Sequence, residues 1–337
     1  MVSSPSPSLV RSADGDFSRY YRYIRLIINL ISSWTFPPIP LAKAPAFYPS
    51  DVTIIIPTLT GEGDEFVDCL ESCIGCEPYA IIIVTTNKNV DRLQQLCKTL
   101  HSSQVQVLGI EKAGKRQQMT QGLVKVRTAL TVFADDDVLW PRTFLKYLLA
   151  AFEDPQVGAA GTCQRLRRAA HPSFWNILGA FYLERRNFEM SATSHIDGGI
   201  SCLSGRTSAY RTTILQNKQF IEGFANERWL GRVPLSTADD DNFLTRWVVS
   251  HGWKVKIQYC KEAELTTTLK DSPEYLHQCV RCARTNWRSN ITSMFVERYI
   301  WRYIFVSTFS DDLLMHFIGC NLGLAMLCTL RPSLHQH

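Results

Sequence analysis

No apolar signal core is expected at the start of the chain, because MVSSPSPSLVRSADGD sets Ser and Pro where one would have to lie. No long basic tract occurs either. Lys and Arg number 36 against 31 Asp and Glu, a net charge of +5. RLRR (165–168) and ERR (184–186) are short groups suited to phosphates or lipid headgroups, and nucleic acid is not expected as a partner. Charged residues are only 20% and hydrophobic ones 45%, which excludes wholesale disorder and allows a substantial core. The 337 residues suffice for one large domain or two ordinary ones.

Eleven cysteines, an odd number, read as free thiols in a reducing compartment. Cys73/Cys76 and Cys279/Cys282 form two CxxC pairs, which leaves a zinc-binding interaction protein as one reading. The pairs lie roughly two hundred residues apart, far beyond zinc-ribbon spacing. Both also fall in helical patterns, where small apolar side chains suit a buried stripe.

Residues 1–16 read as a disordered tail. FSRYYRYIRLIINLISSW (17–34) is too short an apolar run to span a bilayer. It suits a helix lying in the membrane interface, or equally an amphipathic helix packed on the domain. The stretch to residue 50 carries five prolines and reads as an extended linker, so 17–49 form one unit. Four apolar strands follow, at 51–58, 80–86, 105–110 and 129–135, alternating with helical patterns over 64–75, 89–100, 117–126 and 141–153. Such alternation predicts an α/β fold, a mostly parallel sheet with helices on both faces. Ligands of such sheets bind at the carboxyl ends of the strands. In the tail, residues 313–330 approach the length of a membrane span, with aromatics before them and Arg331 after. Residues 297–337 are therefore expected to associate with a membrane.

Two acidic clusters demand explanation, VFADDDVLWP (132–141) and STADDDNFLT (236–245). In an extended or tightly turned segment, Asp135 and Asp137 face one way and Asp136 the other. Two convergent carboxylates at a sheet edge make a hard-oxygen site for Mg²⁺ or Mn²⁺ shared with phosphates and water. Helix capping is the alternative for each cluster. In EKAGKRQQM (111–119), Gly114 would let Lys115 and Arg116 approach a phosphate.

The set of motifs resembles family 2 of the nucleotide-sugar-dependent glycosyltransferases. The likeness is to the membrane-associated processive group of hyaluronan, chitin and cellulose synthases, and particularly to fungal type 2 members. IIIPT resembles the first strand and nucleotide-binding turn, AGKRQQM the lysine segment, and ADDD the DxD element. GGISCLSGRTSAYR resembles the acceptor stretch, DDDNFLT the base-bearing element, and QCVRC the QxxRW signature. Six elements in the family's order, over roughly residues 50–290, are more specific than any one of them.

The resemblance implies a GT-A-like catalytic domain over 50–270, an amphipathic helix over 271–296, and membrane-associated terminal helices. It assigns Thr58, Thr86, Lys115, Asp135, Gln278 and Arg281 to the nucleotide and diphosphate, and Asp135 and Asp137 to the metal. Ser204, Gly205, Cys282 and Trp287 fall to the acceptor, Asp241 to the base and Asp240 to its neighbouring acid. Where many relatives carry acids after the second strand, this chain has Thr86 and Asn87. Where they carry the tryptophan of QxxRW it has Cys282, for which Trp287 would stand in. The implied reaction is inverting, metal-assisted transfer from a UDP-sugar to a polysaccharide or lipid-linked acceptor. The implied site is a membrane-associated, cytosolic domain with partner subunits or further copies, so the sequon at Asn290 would go unused. A catalytically impaired nucleotide-sugar-binding relative is the alternative.

Overall fold

A computed structural model describes residues 23–24, 26–100, 102–168, 171–229, 231–235 and 239–303. The apolar segment 313–330 lies outside them. Among the described residues, no helix is long and apolar enough to cross a membrane.

A helix over residues 26–35 (α1) leads through the proline-rich stretch to β1 (Val52–Pro57). Then come α2 (Asp64–Ile74), β2 (Ala80–Thr86), α3 (Val90–Thr99), β3 (Val105–Ile110), α4 (Lys115–Leu123) and β4 (Leu130–Ala134). The strand-helix alternation read from the sequence is therefore present, within a few residues at each boundary. Every residue of β1 and β2 is buried, which is why both read as unbroken apolar runs. Ile54 and Ile56 join a core with Phe66 and Leu70 of α2, while Ile55 on the other face joins Met119 and Leu123 of α4. Each such isoleucine contributes about 1.5–3 kcal/mol on burial, so the sheet's two faces are strongly fixed.

The second half is less regular. It comprises β5 (Val138–Leu139), α5 (Phe144–Leu149), β6 (Val157–Thr162), β7 (Gln164–Leu166), the long α6 (Phe174–Ile196) and β8 (Thr207–Arg211). α7 (Thr212–Leu215), α8 (Lys218–Asn226), β9 (Arg228–Trp229), β10 (Val233–Pro234) and α9 (Asp240–Ser250) come next. β11 (Lys254–Gln258), β12 (Leu265–Thr267) and α10 (Glu274–Ile291) complete it. The main sheet has seven strands in the order β11-β6-β8-β4-β1-β2-β3, and β8 alone runs antiparallel to its neighbours. β5, β12 and β7 form a small second sheet, and β9 and β10 a hairpin.

That reversed strand matters for the site. Ala134 at the end of β4 pairs with Thr207 at the beginning of β8, and Asp135 N donates to Arg206 O at 2.8 Å. Residues 204–206 are thereby brought to the carboxyl edge where the first acidic cluster stands.

Candidate active site

The carboxyl edge opens into a cavity of about 780 Å³. Its walls are the turn after β1 (57–60), the start of α4, and residues 135–137, 204–206, 239–241 and 268–269. Tyr182 and Arg186 of α6 and one face of α10 close it. On α10, Tyr275, Gln278, Cys279, Cys282 and Thr285 recur at three- and four-residue intervals, with Arg281 beside them.

Lys115, the first residue of α4, joins the two acidic clusters. Its Nζ lies 2.7 Å from Asp135 Oδ1 and 3.1 Å from Asp240 Oδ2. Desolvation works against the ammonium, but the charges of Asp135 and Asp240 outweigh it and raise the pKa. Asp136 is held by Thr58, whose hydroxyl donates to its Oδ2 at 2.5 Å and accepts from Gly61 N at 2.9 Å. Burial raises the Asp136 carboxyl against that bond. Asp137 accepts from the Thr268 hydroxyl at 3.2 Å. Burial first, and then the charge of Asp135, push the Asp137 carboxyl up to about 6 against the pull of Arg206. This turn runs into β5, and α5 begins only at Phe144, so none of the three aspartates caps a helix.

At the second cluster, Asp239 precedes α9 with φ 64° and makes no side-chain capping bond. Both its carboxylate oxygens are buried without a hydrogen-bond partner, with Arg288 3.9 Å away. Asp240 is engaged by Lys115. Asp241 accepts from Asn242 N at 2.8 Å. Burial and the charge of Asp240 raise the Asp241 carboxyl, while Arg186 and Lys115 oppose them. Gly205 approaches so closely that an added Cβ would stand 3.3 Å from Asp241 Cβ. Cys282 lies in the same field: burial and the charge of Asp241 raise its thiol.

Thr58, Lys115, Asp135, Asp137, Ser204, Gly205, Asp240, Asp241, Gln278, Arg281 and Cys282 thus share one cavity. Thr86 and Trp287 do not line it. Thr86 ends β2, one strand away from the β1–β4 junction, and its hydroxyl accepts from Asn89 Nδ2 at 3.1 Å. Trp287 sits five residues past Cys282, on another side of the helix, with its ring 5.8 Å from that of Trp229. Arg116 also departs from expectation. Buried under α8 and α9, it bonds Glu227 at 2.7 Å, Phe224 O at 3.0 Å and Asp239 O at 2.9 Å, and cannot reach a phosphate.

The cavity holds residues that the motifs did not announce. Gln118 ties Thr58 O (2.6 Å) to Val84 O (2.8 Å), fixing the ends of β1 and β2 together. Arg206 bonds Gln164 Oε1 at 3.1 Å beside Asp137. Of the basic groups 165–168 and 184–186, Arg165 pairs with Glu264, Arg167 with Asp68 and Arg185 with Glu189, while Arg186 turns into the cavity.

Six aspartates line the cavity against four cations, Lys115, Arg186, Arg206 and Arg281. The deficit of positive charge, with Asp137 lifted by burial and then by Asp135, suits a hard divalent cation at Asp135 and Asp137. Among the described residues, no three His, Cys, Asp or Glu side chains converge on one point as a metal-holding group. Other ligands would have to come from diphosphate oxygens and water. The two CxxC pairs are separate in space: Cys73 and Cys76 belong to the core around β1, and Cys279 and Cys282 face the cavity.

Comparison with known proteins gives the family of the chain. Residues 49–287 match the model of Glycosyltransferase like family 2. Type 2 glycosyltransferases of Zymoseptoria tritici and Gibberella zeae are each 51% identical, over 289 and 287 residues. These alignments cover 86% and 84% of this chain but only 61% and 54% of those relatives, so the chain spans little more than half their length. A mannosyltransferase from Pyrobaculum calidifontis, solved with GDP-Man and Mn²⁺, superposes with a TM-score of 0.59 at 17% identity. That superposition covers 92% of this chain and 85% of the other and establishes a shared GT-A-like fold. The chain belongs to glycosyltransferase family 2.

Proposed function

We propose that this chain is an inverting glycosyltransferase that moves a sugar from a nucleoside diphosphate, expected to be UDP, to an acceptor hydroxyl. The observation that carries the reading is Lys115 bonded at once to Asp135 and Asp240, which sets a diphosphate site and a base site side by side.

In this reading Lys115, Arg281 and Gln278 receive the diphosphate. Arg281 is exposed at the cavity wall, open to a phosphate. Asp135 and Asp137 would hold Mg²⁺ or Mn²⁺, which when bound neutralises charge on the leaving diphosphate. Asp241 takes the proton from the acceptor hydroxyl as the new C–O bond forms and the bond to the diphosphate breaks. Asp241 suits the role better than Asp240, because Asp240 is tied to Lys115 while burial, first, raises the Asp241 carboxyl. One base and no carboxylate nucleophile correspond to a single displacement with inversion. Ser204, Gly205 and Cys282 would border the acceptor, a glycan or a lipid-linked sugar.

We also propose that α1 lies on a membrane, since Ile27, Leu30, Ile31 and Trp34 are exposed at helical spacing.

The decisive experiment measures nucleotide release from UDP- and GDP-sugars with Mg²⁺, Mn²⁺ or chelator, beside Asp137→Asn and Asp241→Asn. Metal-dependent release from one donor, lost in both variants, supports the reading. If nucleotide binds in an Asp137-dependent way but no donor turns over, the impaired, nucleotide-sensing alternative replaces it, with Cys282 the first residue to restore to Trp.

A further inference from the structure

One wall of the cavity has no part in the transfer just described: the middle of α6. Two contacts near its middle hold this helix against the small sheet and the segment after it. Asn187 is buried and clasps the backbone of Gln164 both ways, its Nδ2 donating to O at 2.7 Å and its Oδ1 accepting from N at 3.0 Å. Gly179 packs so near Leu269 that an added Cβ would stand 2.9 Å from Cδ1. Arg186, adjacent to the Asn187 clasp, is therefore held with little play.

Its guanidinium enters the cavity and its Nη2 donates to Cys202 O at 3.2 Å. Cys202 begins the turn whose Gly205 is crowded against Asp241. Arg186 Nε is shut off from solvent without a hydrogen-bond partner. Among the described residues, Arg186 has no carboxylate within ion-pair distance. A cation so placed is costly to desolvate unless its surroundings compensate it; Tyr182 and Cys202 flank it, and Asp241 is the carboxylate that acts on it.

Resting on the reading of Asp241 as the base, we propose that Arg186 is its positioning residue. It holds the 202–205 turn against the carboxylate and keeps that carboxylate ionised. The groups facing Asp241 are Asp240 on its own helix, Lys115 of α4, Arg186 of α6, Cys202, Cys282 of α10 and Tyr210 of β8. Burial first, and then the charge of Asp240, favour the neutral acid. Arg186 and then Lys115 oppose them, and Lys115 is divided between Asp135 and Asp240, so Arg186 counts for more.

The test uses the full chain with Arg186→Gln and Arg186→Lys. In the Gln variant the acid limb of kcat moves up by about one pH unit or more. That lowers kcat roughly ten-fold below the limb, with wild-type rates recovered on the alkaline side. The Lys variant restores the profile. A purely structural role would instead lower kcat at every pH and leave the limb where it is, which overturns the proposal.

A second arm needs no turnover. A carboxylate with a raised folded pKa stabilises the protein fully below its unfolded pKa, and that stability is lost as pH rises through the folded value. Arg186→Gln must move this decline in Tm to higher pH, and adding Asp241→Asn must erase the difference. An unmoved decline sinks the proposal. If the decline moves while no donor turns over, the coupling stands and the assignment of Asp241 as a catalytic base is what fails.

Discussion

Asp240 and Asp241 are neighbours of the same type with different surroundings, and the difference decides their chemistry. Asp240 gives a carboxylate oxygen to Lys115, whereas Asp241 is half-buried beside Gly205 with its ionised form disfavoured. Asp241→Asn removes that disfavoured charge while keeping the acceptor oxygen for Asn242 N. The variant is expected to lose transfer yet melt a few degrees higher than wild type at neutral pH, on the order seen for a group relieved of burial. Below the unfolded carboxylate pKa of about 4 the advantage vanishes, because Asp241 is then protonated in both states. Thermal melts across pH check this, and equal melting temperatures at neutral pH would mean that Asp241 carries no such burden. Lys115→Ala acts oppositely, leaving Asp135 and Asp240 unneutralised and a diphosphate without its ammonium. Loss of a charge-assisted bond worth about 1.5–3 kcal/mol predicts a donor Kd raised roughly ten- to hundred-fold. Titration calorimetry with the donor and metal would read it, and an unchanged Kd would remove Lys115 from the diphosphate site. Both clusters and Lys115 were legible in the sequence, because three adjacent acids, one set after a strand and one before a helix, are more than a single helix cap needs. Arg186 was not: ERR read only as a short basic group suited to phosphates or lipid headgroups, and only the turn of α6 separates Arg185, paired with Glu189, from Arg186 in the cavity.

At the scale of elements, the first half of the fold was readable because β1 and β2 are buried on both faces and must be apolar throughout. The second half was not. β6 is VGAAGT, and its glycines serve packing: an added Cβ at Gly158 would lie 2.7 Å from Trp253 Cβ. Nothing local announces that β8 runs backwards, yet that reversal delivers residues 204–206 to the site. Thr86 illustrates the same limit, since a strand end is visible in sequence and the order of strands is not. α4 permits a test of how closely the frame holds the chemistry. Gly122 sits over Ile55, with an added Cβ 2.8 Å from Cγ2 of a side chain stiff at χ1. Gly122→Ala gains about 0.5–1 kcal/mol in helix propensity but forces overpacking worth about 1–3 kcal/mol. The clash wins, so Tm should fall and, because α4 begins with Lys115, donor affinity should fall with it. A variant that melts higher than wild type would show that β1 and α4 can separate at no expense.

For the whole molecule, the informative feature is a helix facing the wrong way for a protein bathed only in water. α1 turns Asn29 and Ser32 inward and Ile27, Leu30, Ile31 and Trp34 outward, with Trp34 90% exposed. It is joined to α6 by hydroxyls, Ser32 donating to Ala192 O at 2.8 Å and Ser33 meeting Ser191 at 3.0 Å. Phe174, Ile177 and Phe181 of α6 are exposed as well. Contiguous apolar exposure on a helix with a polar inner face fits insertion into a lipid interface, where each buried side chain gains about 1.5–3 kcal/mol. A bilayer there would suit a lipid-linked acceptor better than a freely soluble one, and the chain's relatives extend well beyond the span it matches. The whole chain should therefore float with phospholipid vesicles. Ile27→Glu with Ile31→Glu should release it without lowering Tm, because neither side chain is buried in the protein. Wild-type protein that stays at the bottom of the gradient, or a double variant that floats equally well, would assign that apolar face to another surface.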